Sequence, residues 1–264
     1  MLKRSIPIIL CLLGSGVLFN AAAATDPTPD EIQNIIKKFT QKETEFAIAR
    51  ENYTYRQTTK LTEVDPPGGS FEVVEDIGFD DRNRRTSHVT YAPVVSLEHI
   101  VMTAEDEQDF KNVMPFVMTN DTADQYIVNY VGREKVDEIS CFVFSVRPKV
   151  LTKDRKRYFE GQIWVDDQDL QIVKTYGRST GHLGRNEDQQ FPKFETYREQ
   201  IDGKFWFPTY TYADDVLNFK DGPSQRIKEV IKYDHYKKFG SKSTITFGSV
   251  VPDEQQQNPK KPPQ

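Results

Sequence analysis

The chain is poor in the residues that most often carry chemistry. Its 264 residues include two cysteines, Cys11 and Cys141, and four histidines that occur singly. It contains no HExxH or CxxC spacing and no glycine-rich phosphate loop. These absences argue against a metal site, a redox pair and a phosphate-binding loop of the common kinds. We therefore expect a protein that is not an enzyme, with no catalytic residue, no metal and no cofactor.

Positive charge is not in excess either. The chain has 35 Lys and Arg against 40 Asp and Glu, a formal net charge of −5 at pH 7. Removal of the first 24 residues would take away two positive charges and no negative ones, which lowers the net charge to −7. Proteins that bind nucleic acid usually present a basic surface. We therefore expect no nucleic-acid partner.

Long apolar runs are missing outside the N-terminus. Two basic residues precede the apolar stretch Ile6–Phe19, and the small residues Ala21–Ala24 follow it. This order is that of a secretory signal peptide, and a stretch of about 14 residues is shorter than the roughly 20 that span a bilayer. We predict a signal peptide over residues 1–24, cleaved after Ala23 or Ala24. An uncleaved N-terminal anchor is the alternative. Cleavage of the signal peptide would remove Cys11 and leave Cys141 as the single cysteine, so no intramolecular disulfide is expected.

A helix is predicted to begin just after this leader. Thr28 and Glu31 have the spacing of a capping box, and Pro29 occupies the first helical position, where its missing N–H costs nothing. Apolar residues then recur at helical spacing, at Ile32, Ile35, Ile36 and Phe39. The helix should end near Arg50 and pack this stripe on another element.

From Tyr53 onward the pattern is that of strands and turns. Strands are predicted over 53–62, 71–79, 84–91, 126–132, 135–148, 157–165, 170–176, 193–201, 205–214 and 225–239. A second helical segment is predicted over Ser96–Asn112, with Thr103 as an internal N-cap and a solvated acidic face at Glu105, Asp106, Glu107 and Asp109. Strands joined by short turns pair antiparallel. We therefore predict a single α+β domain, mostly antiparallel, over 25–249, followed by a disordered Pro/Gln-rich tail over 250–264.

Two charged turns are candidate binding sites. The run Asp166–Asp169 lacks the glycine and distal glutamate of a calcium-binding EF-hand loop, so a plain turn is favoured. Three arginines, Arg82, Arg84 and Arg85, would meet an anionic head group if they lined the mouth of a cavity. A charged surface turn is the simpler interpretation.

The strands carry apolar residues on both faces. Phe159, Gly161, Ile163 and Val165 alternate with Tyr158, Glu160, Gln162 and Trp164, and Phe205 and Phe207 face away from Trp206. A sheet with two partly apolar faces needs a cover on each face, or a curved face that holds an apolar ligand.

Two segments resemble a known bacterial group. Tyr158–Lys174 contains the pattern G-x-I-W-V-D…I-V-K, and Phe194–Thr209 contains D-G-K-F-W-F-P-T. Both are similar to segments of LolA-like outer-membrane lipoprotein-sorting proteins. The resemblance covers about half of the chain after the leader, mostly residues 126–240.

The resemblance implies a strongly curved, incomplete antiparallel barrel with helices on its concave side. It also implies a periplasmic protein that carries lipid or lipoprotein acyl chains, with envelope proteins as possible partners. The chain is longer than the classical carrier, and no binding residue is carried over from the group by identity. The alternation alone suggests a lining for the acyl cavity, formed by Ile32, Ile36, Phe39, Ile163, Val165, Phe205 and Phe207.

Two other functions stay open. An interaction module that senses envelope proteins through the edge or face of its sheet would carry no ligand and have a filled core. A hydrolase would assemble its site from distant residues such as Glu195, Asp214 or His235, in a polar cleft with a perturbed titratable pair.

Overall fold

The capping box at Thr28 begins the longest helix of the protein. In the computed structural model, which describes residues 26–153, 156–181, 191–220 and 222–239, helix α1 spans Pro29–Arg50. The Thr28 hydroxyl accepts from the Glu31 N–H, and the Glu31 carboxylate accepts from the Thr28 N–H at 2.8 Å. The predicted start and end of α1 are both confirmed.

Ten strands form one antiparallel sheet. They are β1 (Tyr53–Asp65), β2 (Ser70–Phe79), β3 (Arg85–Tyr91), β4 (Tyr126–Val136), β5 (Ile139–Pro148), β6 (Arg157–Asp166), β7 (Ile172–Gly181), β8 (Lys193–Gln200), β9 (Trp206–Leu217) and β10 (Gln225–Lys238). Their order is β3-β2-β1-β10-β9-β8-β7-β6-β5-β4, so the first and last strands of the chain pair with each other inside the sheet. The sheet is curved and open, with β3 and β4 at its edges. The predicted α+β, mostly antiparallel fold is thereby confirmed.

The second helical segment is shorter than predicted. Residues 92–103 are irregular; α2 spans Ala104–Gln108 and continues into a π-helical turn over Asp109–Val113. The physical reason is the buried carboxylate of Glu63, which binds the backbone N–H groups of residues 98, 99 and 100 at 2.7–2.9 Å. Those N–H groups are thereby withdrawn from helical hydrogen bonds. Thr103 does cap α2, since its hydroxyl accepts from the Asp106 N–H at 3.2 Å.

Two details near the β4 edge also differ from prediction. The turn between β4 and β5 falls at residues 137–138, where Asp137 has φ of 53°, and not at 133–134. The charged residues at 133–135 mimic a turn in the sequence, but they extend an edge strand whose side chains reach solvent. A one-turn helix, α3 (Asn120–Ala123), precedes β4 and was not predicted.

The main core lies between the concave face of the sheet and the elements that cover it. α1 and residues 110–118 supply the cover, and inward side chains of β4–β10 supply the floor. A smaller apolar cluster on the convex face contains Cys141, Val143, Trp164 and Val173. Both faces of the sheet are thus partly apolar, as the alternation indicated.

Several predictions fall outside the described residues. They are the signal peptide over 1–24 with its cleavage site and the tail over 250–264. Within the described ranges, no helix is both long enough and apolar enough to cross a membrane.

Candidate functional site

The concave face beneath α1 is the candidate site, because most of the predicted lining residues meet there. Phe39, Ile163 and Val165 are completely buried in the largest apolar cluster of the protein. Ile32 and Ile36, two turns and one turn before Phe39, are half-buried and pack against the same cluster. Five of the seven predicted residues are therefore brought together.

The other two predicted residues lie at the opposite end of α1. Phe205 and Phe207 form a separate cluster with Phe46 and Tyr53, and the rings of Phe46 and Phe207 meet edge-on at 5.2 Å. α1 therefore contacts two apolar clusters, one with each half of its length.

The segment after α2 supplies aromatic and sulfur-containing side chains that the sequence interpretation missed. Phe116 stacks on Phe159 of β6 at 4.5 Å between ring centroids, and Met114 and Met118 are buried beside it. The signal for these residues is the apolar run Val113–Met118, which lies just beyond the predicted helix end at 112.

A buried ion pair fastens the middle of α1 to the sheet. The Arg198 guanidinium of β8 donates to both carboxylate oxygens of Glu43 at 3.0–3.2 Å, and the Ile172 N–H donates to Glu43 Oε1 at 3.2 Å. Arg198 also donates to the carbonyl of Phe116 and lies 5.1 Å from the ring centroid of Phe46. One guanidinium thus joins α1, the 110–118 segment and the sheet.

The two halves of α1 are held differently. From Phe39 onward α1 buries Phe39, Glu43 and Phe46 completely, whereas the N-terminal half, taken here as the residues before Phe39, contributes only half-buried isoleucines. Near its first turn, the Asp26 carboxylate accepts from the Tyr130 hydroxyl of β4 at 2.8 Å in an exposed contact. The N-terminal half is therefore the part of the cover that is easiest to lift.

The concave face also contains buried carboxyl groups. Asp109, predicted to lie on a solvated face, is buried, and its carboxylate accepts from Ser179 Oγ at 2.9 Å. The reason is that the π-helical turn points Asp109 toward β7. Arg157 Nε lies 4.0 Å from this carboxylate. Burial raises the pKa of Asp109 to about 7, although the hydrogen bond from Ser179 and the charge of Arg157 oppose the rise.

Glu229 of β10 is the second such group. It is buried in an inward row of otherwise uncharged residues formed by Gly177, Phe194, Ala213, Leu61 and Phe71 on successive strands. Within the described residues, its Oε1 atom has no hydrogen-bond partner. Burial raises the pKa of Glu229 to about 8, and the nearby charge of Asp109 adds to the rise. A group with this pKa is largely protonated at neutral pH.

A row of threonines crosses the same face. Thr175, Thr196 and Thr211 lie directly opposite one another on β7, β8 and β9, and all are buried. Thr196 donates to the Met114 carbonyl at 2.8 Å and is 2.8 Å from the Thr211 hydroxyl. The floor therefore combines apolar patches with hydroxyl groups.

The three candidate residues for a hydrolytic site, Glu195, Asp214 and His235, do not come together. Glu195 pairs with Lys174 at 3.0 Å and Asp214 with Arg226 at 2.7 Å. His235 is exposed, seven residues along β10 from Lys228, the residue opposite Asp214. At about 3.3 Å per residue this separation exceeds 20 Å. A hydrolytic site built from these three residues is therefore not formed.

The remaining candidates are structural. Arg84 pairs with Asp80 at 2.7 Å on the surface, and only Arg85 of the three turn arginines points inward, where it donates to Gln57 at 3.2 Å. Burial raises the pKa of the Cys141 thiol to about 12, which makes it a poor nucleophile. The described residues contain no group of three or more His, Cys, Asp or Glu side chains placed to hold a metal ion.

Neither a family model nor a curated protein matches the sequence. Among solved structures, a DUF1329 family protein from Desulfovibrio piger is similar, at 14% identity and a TM-score of 0.42, over 83% of this chain and 96% of that one. A putative outer membrane lipoprotein-sorting protein domain from Vibrio parahaemolyticus is similar at 9% identity and a TM-score of 0.34, over 76% of this chain and 93% of that one. MucB is similar at 13% identity and a TM-score of 0.26, over 79% and 95%. The lipoprotein-sorting group expected from the sequence thus reappears among the structural neighbours.

Proposed function

We propose that this chain is an exported, periplasmic binding protein that carries a lipid or lipoprotein acyl chain on the concave face of its sheet. Binding would be reversible burial of hydrocarbon without covalent chemistry. Each buried methylene contributes about 0.8 kcal/mol to the binding free energy, before the entropy of ordering the acyl chain is subtracted. Burial of an acyl chain of about a dozen carbons is therefore enough for stable binding.

The observation that supports this proposal is the composition of the face under α1. Phe144, Phe159, Ile163 and Val165 form a continuous apolar surface there, and Phe39 of α1 packs on it. α1 and residues 110–118, which are not part of the sheet, cover this surface. An apolar ligand can therefore replace side chains of the cover while the strand pairing is kept.

The proposed entrance lies under the N-terminal half of α1. The Glu43–Arg198 pair and Phe46 hold the C-terminal half to the sheet, whereas Ile32, Ile35 and Ile36 are only half-buried. Lifting the first two turns would expose the apolar floor near β4–β6 and leave the buried ion pair intact. An acyl chain that enters there would take over the contacts made by these isoleucines.

A second candidate function is the interaction module without ligand. Its support is the tight closure of the core: Phe39, Ile163, Val165 and Phe207 are at most 1% exposed. A protein that acts only through its surface needs no movement of α1.

The test is native mass spectrometry of the protein purified from the periplasm, followed by titration with a long-chain fatty acid. The carrier proposal expects a one-to-one acyl-bearing species whose mass is lost on denaturation, or uptake of one added fatty acid. An apo mass that persists through the titration would contradict the carrier and favour the interaction module.

A further inference from the structure

The two edges of the sheet are built differently. β4 is an edge strand with a bulge between Tyr130 and Gly132, followed by the charged residues Arg133, Glu134 and Lys135. Bulges and charges are features by which natural sheets prevent pairing of an edge with another strand. The β4 edge is therefore protected.

The β3 edge also has one bulge, at Thr90 opposite Val74 and Glu75 of β2, but it carries no charge beyond its first residue. The ten residues Thr86–Val95 contain no Asp, Glu, Lys or Arg, in a chain of which 28% is charged. All ten are exposed, and among the described residues no strand pairs with β3 on the side away from β2. Its outer backbone N–H and C=O groups are therefore open to another strand.

Exposed apolar side chains gather at the same edge. Of the twelve large apolar side chains that are exposed in the described residues, five lie in or just after β3: Val89, Tyr91, Val94, Val95 and Val101. Val94 is 94% exposed. An uncovered edge strand with exposed apolar neighbours marks a surface for strand addition.

We propose that β3 pairs antiparallel with β3 of a second copy of this chain, so that the sheets of the two copies become continuous across a two-fold axis. The absence of charge argues for this occupant. Any antiparallel alignment of Thr86–Tyr91 with itself places uncharged residues opposite one another, without the repulsion that like charges would cause. Two copies of this chain repel each other because each carries a net negative charge. Contact through the uncharged β3 strands adds no further repulsion.

The interface is small. It consists of one seven-residue strand from each copy with the apolar side chains that follow it. Contacts of this size give weak, concentration-dependent association. The dimer should therefore dissociate on dilution, which a measurement at a single concentration would miss.

The first test is sedimentation velocity over a wide range of protein concentration, comparing the wild type with Val89→Lys and Val131→Lys. Val89 on β3 and Val131 on β4 are 51% and 53% exposed, so the two substitutions are matched in exposure. We expect a monomer–dimer equilibrium for the wild type and Val131→Lys, and a dissociation constant at least tenfold higher for Val89→Lys. A wild type that stays monomeric at the highest concentration, or equal effects of the two variants, would overturn the proposal.

A second test fixes the geometry. Single cysteines are placed along β3 at Ser87, His88, Val89 and Thr90, with Val131→Cys as the β4 control; the native Cys141 is buried. In an antiparallel two-fold pair, at least one of the four β3 positions lies near the axis and forms a disulfide-linked dimer under mild oxidation. Cross-linking no greater than that of the β4 control would contradict β3 pairing even if dimers form.

Discussion

The carboxylate of Glu43 on α1 and the guanidinium of Arg198 on β8 form a buried ion pair, with three nitrogen-to-oxygen distances of 3.0–3.2 Å. Both side chains are at most 1% exposed. The pair is supported by the Ile172 N–H on one side and by the Phe116 carbonyl on the other. This pair fixes the middle of α1 over the sheet and divides the helix into an anchored half and a lightly held half.

Removal of one partner of this pair should be costly. Arg198→Met would leave the Glu43 carboxylate buried without its counterion, and such changes destabilise proteins by about 3–5 kcal/mol. Urea unfolding measures the loss. As a control, Arg226→Met breaks the exposed pair with Asp214 and should cost about 1 kcal/mol or less. Equal losses in the two variants would show that Glu43 is not held as described.

The buried carboxyl of Glu229 should make stability fall as the pH rises. In the unfolded chain its pKa is ordinary, near 4.5, whereas in the fold it is about 8. Between these values the folded state keeps a proton that the unfolded state has released, so folding takes up a proton and higher pH disfavours it. Asp109, with a pKa of about 7, acts in the same direction. Above about pH 8 the penalty should stay constant.

Glu229→Gln should remove a substantial part of this dependence and leave the part due to Asp109. We expect the wild type to lose on the order of a few kcal/mol of unfolding free energy between pH 5 and pH 8, and the variant to lose clearly less. Glu199→Gln, an exposed change on β8, serves as the control and should leave the slope unaltered. A slope that is the same in all three proteins would refute a buried, protonated Glu229.

Glu63 should hold the irregular segment 96–101 in place. Its carboxylate accepts from four backbone N–H groups, those of Gly69, Glu98, His99 and Ile100, at 2.7–2.9 Å. Burial by itself would raise its pKa, but these four hydrogen bonds lower it below the usual value. Glu63→Gln replaces one carboxylate oxygen by an NH₂ group, so that backbone N–H groups face another donor. This change should lower the free energy of unfolding by about 1–3 kcal/mol.

The readout for Glu63 is hydrogen exchange of the amides of residues 98–100, which should become much faster in Glu63→Gln. Glu72→Gln, on the neighbouring strand β2, removes only a partly exposed contact with Lys60 and should leave these amides protected. Unchanged protection in Glu63→Gln would mean that other contacts hold the segment.

The sequence predicts the parts of this fold that depend on local signals. The capping box at Thr28 and the period-two strands are set by neighbouring residues, so they are found without knowledge of the fold. The wrong predictions lie where contacts with residues distant in the sequence determine the local structure. Glu63 takes the amide hydrogens that a helix over 96–103 would need, and this contact spans more than 30 residues of sequence.

The same division holds for the candidate site. Alternation assigns Ile163, Val165 and Phe207 to the concave face correctly, because side-chain direction in a strand is local. It cannot separate Phe207 from the cluster around Phe39, nor pair Glu43 with Arg198, which are 155 residues apart. Those relationships arise from the order of strands in the sheet, which no local pattern encodes.

Entry of an acyl chain under the N-terminal half of α1 can be measured by fatty-acid titration of matched α1 variants. Ile36→Asn changes a half-buried residue of the proposed entrance, while Ile48→Asn changes a residue of the same helix that is 61% exposed. Both variants should fold, unlike a charge at the fully buried Phe39. Isothermal titration calorimetry should give tight binding for the wild type and Ile48→Asn, and affinity at least tenfold weaker for Ile36→Asn. Equal affinity in all three proteins, or no binding by the wild type, would contradict acyl-chain entry under α1.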